Sequence, residues 1–108
     1  MDIQHTAKDF ELTDAIRTYA EEKFRKACTQ LDGFQGVHLH LTYETVGHSN
    51  HGDNQGLTAV CFVPNHDPLK AEQTTSSLYA SIDVAAKELE RQVRKYRDKH
   101  HSQIRRGG

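Results

Sequence analysis

The last third of the chain repeats apolar and polar residues with the period of an α-helix. From residue 77 to about residue 101, apolar positions recur at intervals of three and four, which places them on one stripe. They are Leu78, Ile82, Ala85, Ala86, Leu89, Val93 and Tyr96. Cations lie off the stripe. The pattern therefore predicts a long helix that packs on a flat surface and exposes a basic outer side.

A second helical pattern begins after Thr13. This threonine is a suitable N-cap, and Asp14 places a negative charge in the first turn, where the helix dipole favours it. The apolar positions that follow are Ile16, Tyr19, Ala20, Phe24, Ala27, Cys28 and Leu31. We expect the helix to run through Leu31 and to end at Asp32-Gly33, because glycine readily adopts the left-handed conformation.

Four segments have the composition and alternation of β-strands. Residues 37–46 alternate strictly, and residues 2–6, 57–63 and 69–75 follow the pattern more weakly. Residues 7–9 are predicted to form a turn and residues 47–56 a polar hairpin loop. His5 falls on the inward face of the first strand, where we expect a neighbour or the sheet edge to satisfy it.

The order of elements, β-α-β-β-β-α, predicts the fold class. Strands with one apolar face and two amphipathic helices favour an α+β, two-layer sandwich, with a four-stranded sheet and both helices on one face. Residues 1–101 form the predicted single domain, and residues 102–108 a short, basic, disordered tail. No apolar run has the length of a membrane span and no signal-peptide pattern is present, so a cytoplasmic protein is expected.

Charge is segregated along the chain although the total is only −1. Eight basic and three acidic residues lie from Lys87 onward, against six basic and twelve acidic residues before it. Such segregation indicates a docking surface for a polyanion, with a solvated face of ordinary Glu–Lys pairs as the alternative.

Two geometries could serve nucleic-acid binding. If the helices lie side by side, their cations form one basic surface for a phosphate backbone. Those cations are Arg17, Lys23, Lys26, Arg91, Arg94, Lys95 and Lys99. The open sheet face offers instead His38, His40 and Phe62 for base stacking. The helical surface is favoured, because only one of these three is a strong stacking residue.

Neither metal binding nor catalysis has a convincing pattern. The eight histidines include His48 and His51 in the loop, but none shows the spacing of a structural zinc site. Cys28 and Cys61 lie inside predicted elements, where we expect buried, reduced thiols. The sequence therefore predicts no catalytic residue, no metal ligand and no cofactor.

Two motifs resemble the hibernation-promoting factor / ribosome-associated inhibitor family of bacterial ribosome-binding proteins. The first is Leu12-Thr13-Asp14-Ala15-Ile16-Arg17 with Tyr19-Ala20-Glu21-Glu22-Lys23. The second is Leu78-Tyr79-Ala80-Ser81-Ile82-Asp83 with Leu89-Glu90-Arg91-Gln92-Val93. The resemblance covers residues 1 to about 99. It implies the same β-α-β-β-β-α domain and a non-enzymatic protein.

The resemblance implies binding in the decoding region of the small ribosomal subunit, which blocks mRNA and tRNA and stops translation in starved or stationary cells. Basic residues of the family contact ribosomal RNA, and the motifs carry this role to Lys8, Arg17, Lys23, Lys26, Arg91 and Lys95. Lys87, Arg94 and Lys99 complete the predicted RNA-binding set. The short tail resembles the short form of the family, so a monomer is expected, and ribosome dimerisation would need a separate factor.

The chain also departs from the family pattern. Glu88 stands where the family usually has lysine, and Lys87 is one position earlier, a shift of about 100° around the helix. Histidines replace the usual cations of the hairpin loop, which lowers phosphate affinity at neutral pH. An alternative function is therefore a general structured-RNA-binding or protein-interaction domain that does not silence ribosomes.

Overall fold

A computed structural model describes residues 1–46 and 54–100 of the chain. These residues contain four strands and two α-helices in the predicted order, and a short 3₁₀-helix that was not predicted. The strands are β1 (Asp2–Lys8), β2 (His38–Thr45), β3 (Gln55–Phe62) and β4 (Leu69–Thr75). The helices are α1 (Asp14–Ala27), the 3₁₀-helix (Thr29–Leu31) and α2 (Leu78–His100).

The strands form one sheet in the order β1-β2-β3-β4. β1 runs parallel to β2 and is connected to it through α1, whereas β2, β3 and β4 are antiparallel neighbours. The register places Leu41 opposite Ala59 and Ala59 opposite Ala71, so small and large side chains meet on the buried face. The inward sets of β2 and β3 are both buried, as their alternation predicted.

Both helices cover this buried face. α2 packs on β3 and β4, and α1 packs beside α2. Every residue of the predicted α2 stripe is buried, and Ala20, Phe24 and Ala27 of α1 belong to the same core cluster. The predicted two-layer α+β fold is therefore confirmed.

The end of α1 differs from the prediction. The helix ends at Ala27, and the N–H groups of Leu31 and Asp32 bond to carbonyls three residues back, in 3₁₀ geometry. The Thr29 hydroxyl donates to the carbonyl oxygen of Lys26 at 2.9 Å, and such local bonding competes with continued α-helix. Gly33 adopts the predicted left-handed conformation, with φ of +98°, a few residues after the helix ends.

Two strands were also predicted too short, each at one end. β1 continues to Lys8, which pairs with Glu44, and the turn begins only at Asp9, with φ of +50°. β3 begins at Gln55, inside the predicted loop. At Gly56 a Cβ atom would lie 3.3 Å from the Glu44 carbonyl oxygen, so the close strand approach favours glycine there.

The predicted loop histidines, His48 and His51, and the predicted tail, 102–108, lie outside the described residues. In the part of the chain that is described, neither helix is long and apolar enough to cross a membrane.

Candidate nucleic-acid interface

A groove between α1 and α2 brings three of the predicted RNA-binding lysines together. Its volume is about 280 Å³. Ala27 and Ala86 line it where the helices meet, and such small side chains leave room for the surrounding longer ones. The charged side chains around it are Lys23, Lys26, Lys87, Asp83 and Glu90. Three amines against two carboxylates give the groove a small positive excess.

Lys23 is held in position on the rim of this groove. Its Nζ lies 3.7 Å from the Asp83 Oδ1 and 5.4 Å from the centre of the Tyr19 ring. The Tyr19 hydroxyl donates to the same Asp83 oxygen at 2.6 Å, and this bond raises the pKa of Tyr19. Tyr79 packs edge-on against Tyr19. Sequence reasoning missed the role of Asp83, because its partner Tyr19 is 64 residues away along the chain.

Arg91 forms a two-point ion pair with Glu88 on the exposed side of α2. Its guanidinium contacts the two carboxylate oxygens at 2.6 and 3.2 Å, and Gln92 donates to one of them at 3.1 Å. These contacts lower the pKa of Glu88, and the carboxylate raises the pKa of Arg91. Glu88, the acid that departs from the family pattern, therefore offsets the charge of Arg91, a predicted RNA contact.

Lys95 and Lys99 line a different groove, between α2 and the start of β4. Its other residues include His66, Leu69 and Tyr96. Gln92 fastens α2 to this strand, since its amide accepts from the Lys70 N–H and donates to the Lys70 carbonyl. The predicted cations of α2 thus lie on both flanks of the helix, and only Lys87 joins the lysines of α1.

The remaining members of the predicted set are exposed. Lys8 ends β1, Arg17 lies in the first half of α1 and Arg94 on α2. Arg17 is close enough to Tyr43 to oppose the rise in the pKa of this tyrosine that burial causes. These three side chains do not line either groove.

The open face of the sheet is less suited to base stacking. The His38 and Phe62 rings stack on each other, with centroids 4.5 Å apart, so one face of each ring is already covered. His40 lies 2.8 Å from the Thr6 hydroxyl. The structure gives these side chains partners within the sheet.

His5 belongs to a partly buried polar network. Its Nδ1 lies 2.8 Å from the Tyr43 hydroxyl and its Nε2 2.8 Å from a Glu21 carboxylate oxygen. The carboxylate accepts, so in the neutral ring Nε2 carries the proton and Nδ1 accepts from the tyrosine. The prediction that neighbours satisfy His5 is confirmed. Within residues 1–46 and 54–100, no three His, Cys, Asp or Glu side chains are grouped to hold a metal ion.

Comparison with known proteins points to one family. The profile of the family described as sigma 54 modulation protein / S30EA ribosomal protein matches residues 3–101. The chain is 30% identical over 90 residues to the ribosome hibernation promotion factor of Lactococcus lactis subsp. cremoris, covering 83% of this chain and 46% of the relative. It is 37% identical over 87 residues to the factor of the same name from Staphylococcus aureus, covering 80% and 43%. The chain thus spans less than half the length of these curated relatives.

Solved structures agree with the fold. The N-terminal domain of Thermus thermophilus protein Y superposes with a TM-score of 0.74 at 28% identity, covering 90% of this chain and all of that domain. A ribosomal subunit interface protein from Coxiella burnetii gives 0.75 at 21% identity, covering 91% and 99%, and shows the shared fold alone.

Hibernation factors of this kind are binding proteins and not enzymes, as the sequence predicted. The profile match covers nearly the whole chain, and two relatives of the same name support it. The chain therefore belongs to the sigma 54 modulation protein / S30EA ribosomal protein family, which includes the ribosome hibernation promotion factors that its two helix motifs resemble.

Proposed function

We propose that this protein is a ribosome-associated hibernation factor. It binds the decoding region of the small ribosomal subunit through its basic helical surface and blocks mRNA and tRNA binding in stationary phase or stress. The names of the relatives support the ribosomal role. The observation that carries the proposal is the convergence of Lys23, Lys26 and Lys87 in one groove between the two helices.

The mechanism is occupation of a site and involves no reaction. Lysines of the groove neutralise backbone phosphates of ribosomal RNA and release counterions, which gives affinity without requiring a base sequence. The two helices together carry ten basic and seven acidic residues, whereas the other described residues carry two basic and seven acidic ones, so the charge distribution orients the domain with its helices toward the RNA. The sheet supplies a firm support, because its buried face carries both helices.

Sedimentation of the purified protein with isolated small and large subunits, at a low and a high salt concentration, tests the proposal. We expect co-sedimentation with the small subunit that salt weakens steeply, and inhibition of a cell-free translation reaction at the same protein concentrations. Charge reversal by Lys26→Glu should weaken both. Lys70→Glu is the matched control, since Lys70 is exposed on the open sheet face. Equal loss in the two variants would contradict the assigned surface.

We further propose that the protein acts in the cytoplasm as a monomer, and that any pairing of ribosomes depends on a separate dimerisation factor. Light scattering coupled to gel filtration tests the oligomeric state. Sucrose gradients of ribosomes with the protein alone test pairing, and paired ribosomes in that gradient would contradict the need for a second factor.

The Glu88–Arg91 ion pair favours one alternative. Because Glu88 offsets a predicted RNA contact where the family usually has lysine, the domain could bind structured RNA generally without silencing ribosomes. Equal affinity for a free RNA hairpin and for small subunits, together with unchanged cell-free translation, would support this alternative over the leading proposal.

A further inference from the structure

Tyr79 is an exposed aromatic residue at one end of the groove between α1 and α2. Of the four large hydrophobic side chains that are exposed among the described residues, Tyr79, at 43%, is the only aromatic one. It precedes Asp83 and Lys87 on α2 at intervals of four, so the three side chains follow one another along one side of the helix. Asp83 and Lys87 both line the groove. The ring therefore adds an apolar face to a surface that already carries charge.

The contact that supports Tyr79 leaves part of its ring uncovered. Its ring meets the Tyr19 ring edge-on, with centroids 4.8 Å apart and planes at 76°. Such a contact covers at most one face of Tyr79, in agreement with the exposure of this residue. Tyr19 is itself fixed, because its hydroxyl donates to the Asp83 carboxylate at 2.6 Å. Tyr79 thus lies against a fixed support, and stacking on a flat ligand would cost this side chain little conformational entropy.

An amine that can pair with phosphate lies beside the same two rings. The Lys23 Nζ is 5.4 Å from the centre of the Tyr19 ring, and Tyr19 contacts Tyr79. The base and the phosphate of one nucleotide are joined through a single sugar, so a nucleotide whose phosphate pairs with Lys23 can bring its base to Tyr79. A positively charged groove next to an aromatic ring is the combination with which proteins bind single-stranded nucleic acid.

We propose that Tyr79 is a stacking site for one unpaired base of the RNA whose phosphates occupy the α1–α2 groove. The inference rests on the proposed function and deepens it, because it makes the ligand an RNA with an unpaired nucleotide beside the contacted phosphates. Inside a duplex, neighbouring bases cover both faces of each base, so only an unpaired base presents a face to the tyrosine. Stacking tolerates any base, since every base has a π-face. The site therefore selects RNA shape and not RNA sequence.

Tyr79→Leu tests the site, because it removes the aromatic face and keeps an apolar side chain. We expect the affinity for isolated small subunits to fall about 5- to 150-fold, the usual effect of losing one stacked base. The salt slope should stay that of the wild-type chain, since no phosphate contact is lost. Tyr79→Phe keeps the aromatic face and should bind as the wild-type chain does. Val84→Ala is the matched control, because Val84 is exposed to the same degree on the same helix, and its affinity should not change.

Each result of this experiment has a distinct meaning. Wild-type affinity in Tyr79→Leu would overturn the stacking site and leave the proposed function intact. A shallower salt slope in Tyr79→Leu would also overturn it, because Tyr79 would then act through Tyr19 to position Lys23 for a phosphate. If the wild-type chain does not co-sediment with small subunits, the proposed function fails and this inference fails with it.

Ultraviolet crosslinking of the wild-type chain to small subunits gives a second measurement that needs no folded variant. Trypsin cleavage after Lys70 and Lys87 releases residues 71–87, in which Tyr79 is the only aromatic residue. We expect a nucleotide adduct on Tyr79, from a nucleotide that is unpaired in the subunit. An adduct from a paired nucleotide, a crosslink of Tyr79 to a ribosomal protein, or nucleotide adducts only on His38 and Phe62 of the sheet face would overturn the proposal.

Discussion

The salt dependence of subunit binding measures directly whether the α1–α2 groove contacts phosphates. Lys26 and Lys87 are the appropriate residues to change, because both are exposed on the groove and, among the described residues, neither amine has a carboxylate within ion-pair distance. Lys23 is less suitable, since Asp83 lies 3.7 Å from its amine. Lys26→Gln/Lys87→Gln removes two charges and keeps side chains of similar polarity.

The expected magnitude follows from counterion release. Each phosphate contact contributes about 0.7 to 0.9 to the slope of log K against log salt. From 50 to 200 mM salt, the wild-type affinity should therefore fall about 7- to 12-fold more than that of the double variant, if both lysines contact phosphates. Each single variant should account for about 3-fold. Exposed Lys→Gln changes alter stability by only about 0.5 kcal/mol or less, so folding is not a competing explanation.

Quantitative sedimentation with purified small subunits across this salt range gives both slopes. Lys70→Gln is the matched control, because it makes the same substitution on the open sheet face, where β4 pairs with β3. Its slope should match that of the wild-type chain. Parallel slopes for the wild-type and the double variant would refute the groove as the phosphate contact, even if the protein still bound the ribosome through another surface.

Three further changes test the fold and the interface. Thr13→Ala removes the cap bond to the Ile16 N–H and should cost about 1 kcal/mol in urea unfolding, whereas Thr13→Ser should cost less; equal losses would contradict the cap. Tyr43→Phe removes the hydroxyl bonded to His5 and should cost about 1 kcal/mol at pH 7. Burial raises the pKa of Tyr43, so the folded state keeps a proton that the unfolded state loses above about pH 10. The free energy of unfolding should therefore fall as the pH rises above about 10, and it should fall less in Tyr43→Phe than in the wild-type chain. An identical fall would contradict the assignment. Glu88→Gln frees Arg91 and should steepen the salt slope of subunit binding by about 0.7 to 0.9, and an unchanged slope would show that Arg91 makes no phosphate contact.

The fold was predictable because the spacing of apolar residues along the chain indicates which residues are buried. The α2 stripe and the alternation of β2 identify the faces that became the core, and these faces determine a two-layer arrangement. Boundaries were less predictable, because they depend on partners. β1 extends to Lys8 only because Glu44 lies opposite it, and α1 ends early where Thr29 bonds to the preceding turn. The first of these pairings joins residues 36 positions apart, so the local sequence carries no signature of it.

The interface was predictable as a set of residues but not as a shape. A spacing of four keeps Lys87, Arg91 and Lys95 near one another along α2, yet it does not show which element flanks each side of the helix. The tertiary structure places α1 beside Lys87 and the start of β4 beside Lys95, so the cations separate into two grooves. A polyanion that engages both grooves must therefore span the width of α2, about 10 Å. If only the α1–α2 groove engages RNA, Lys26→Gln should alter the salt slope and Lys95→Gln should not.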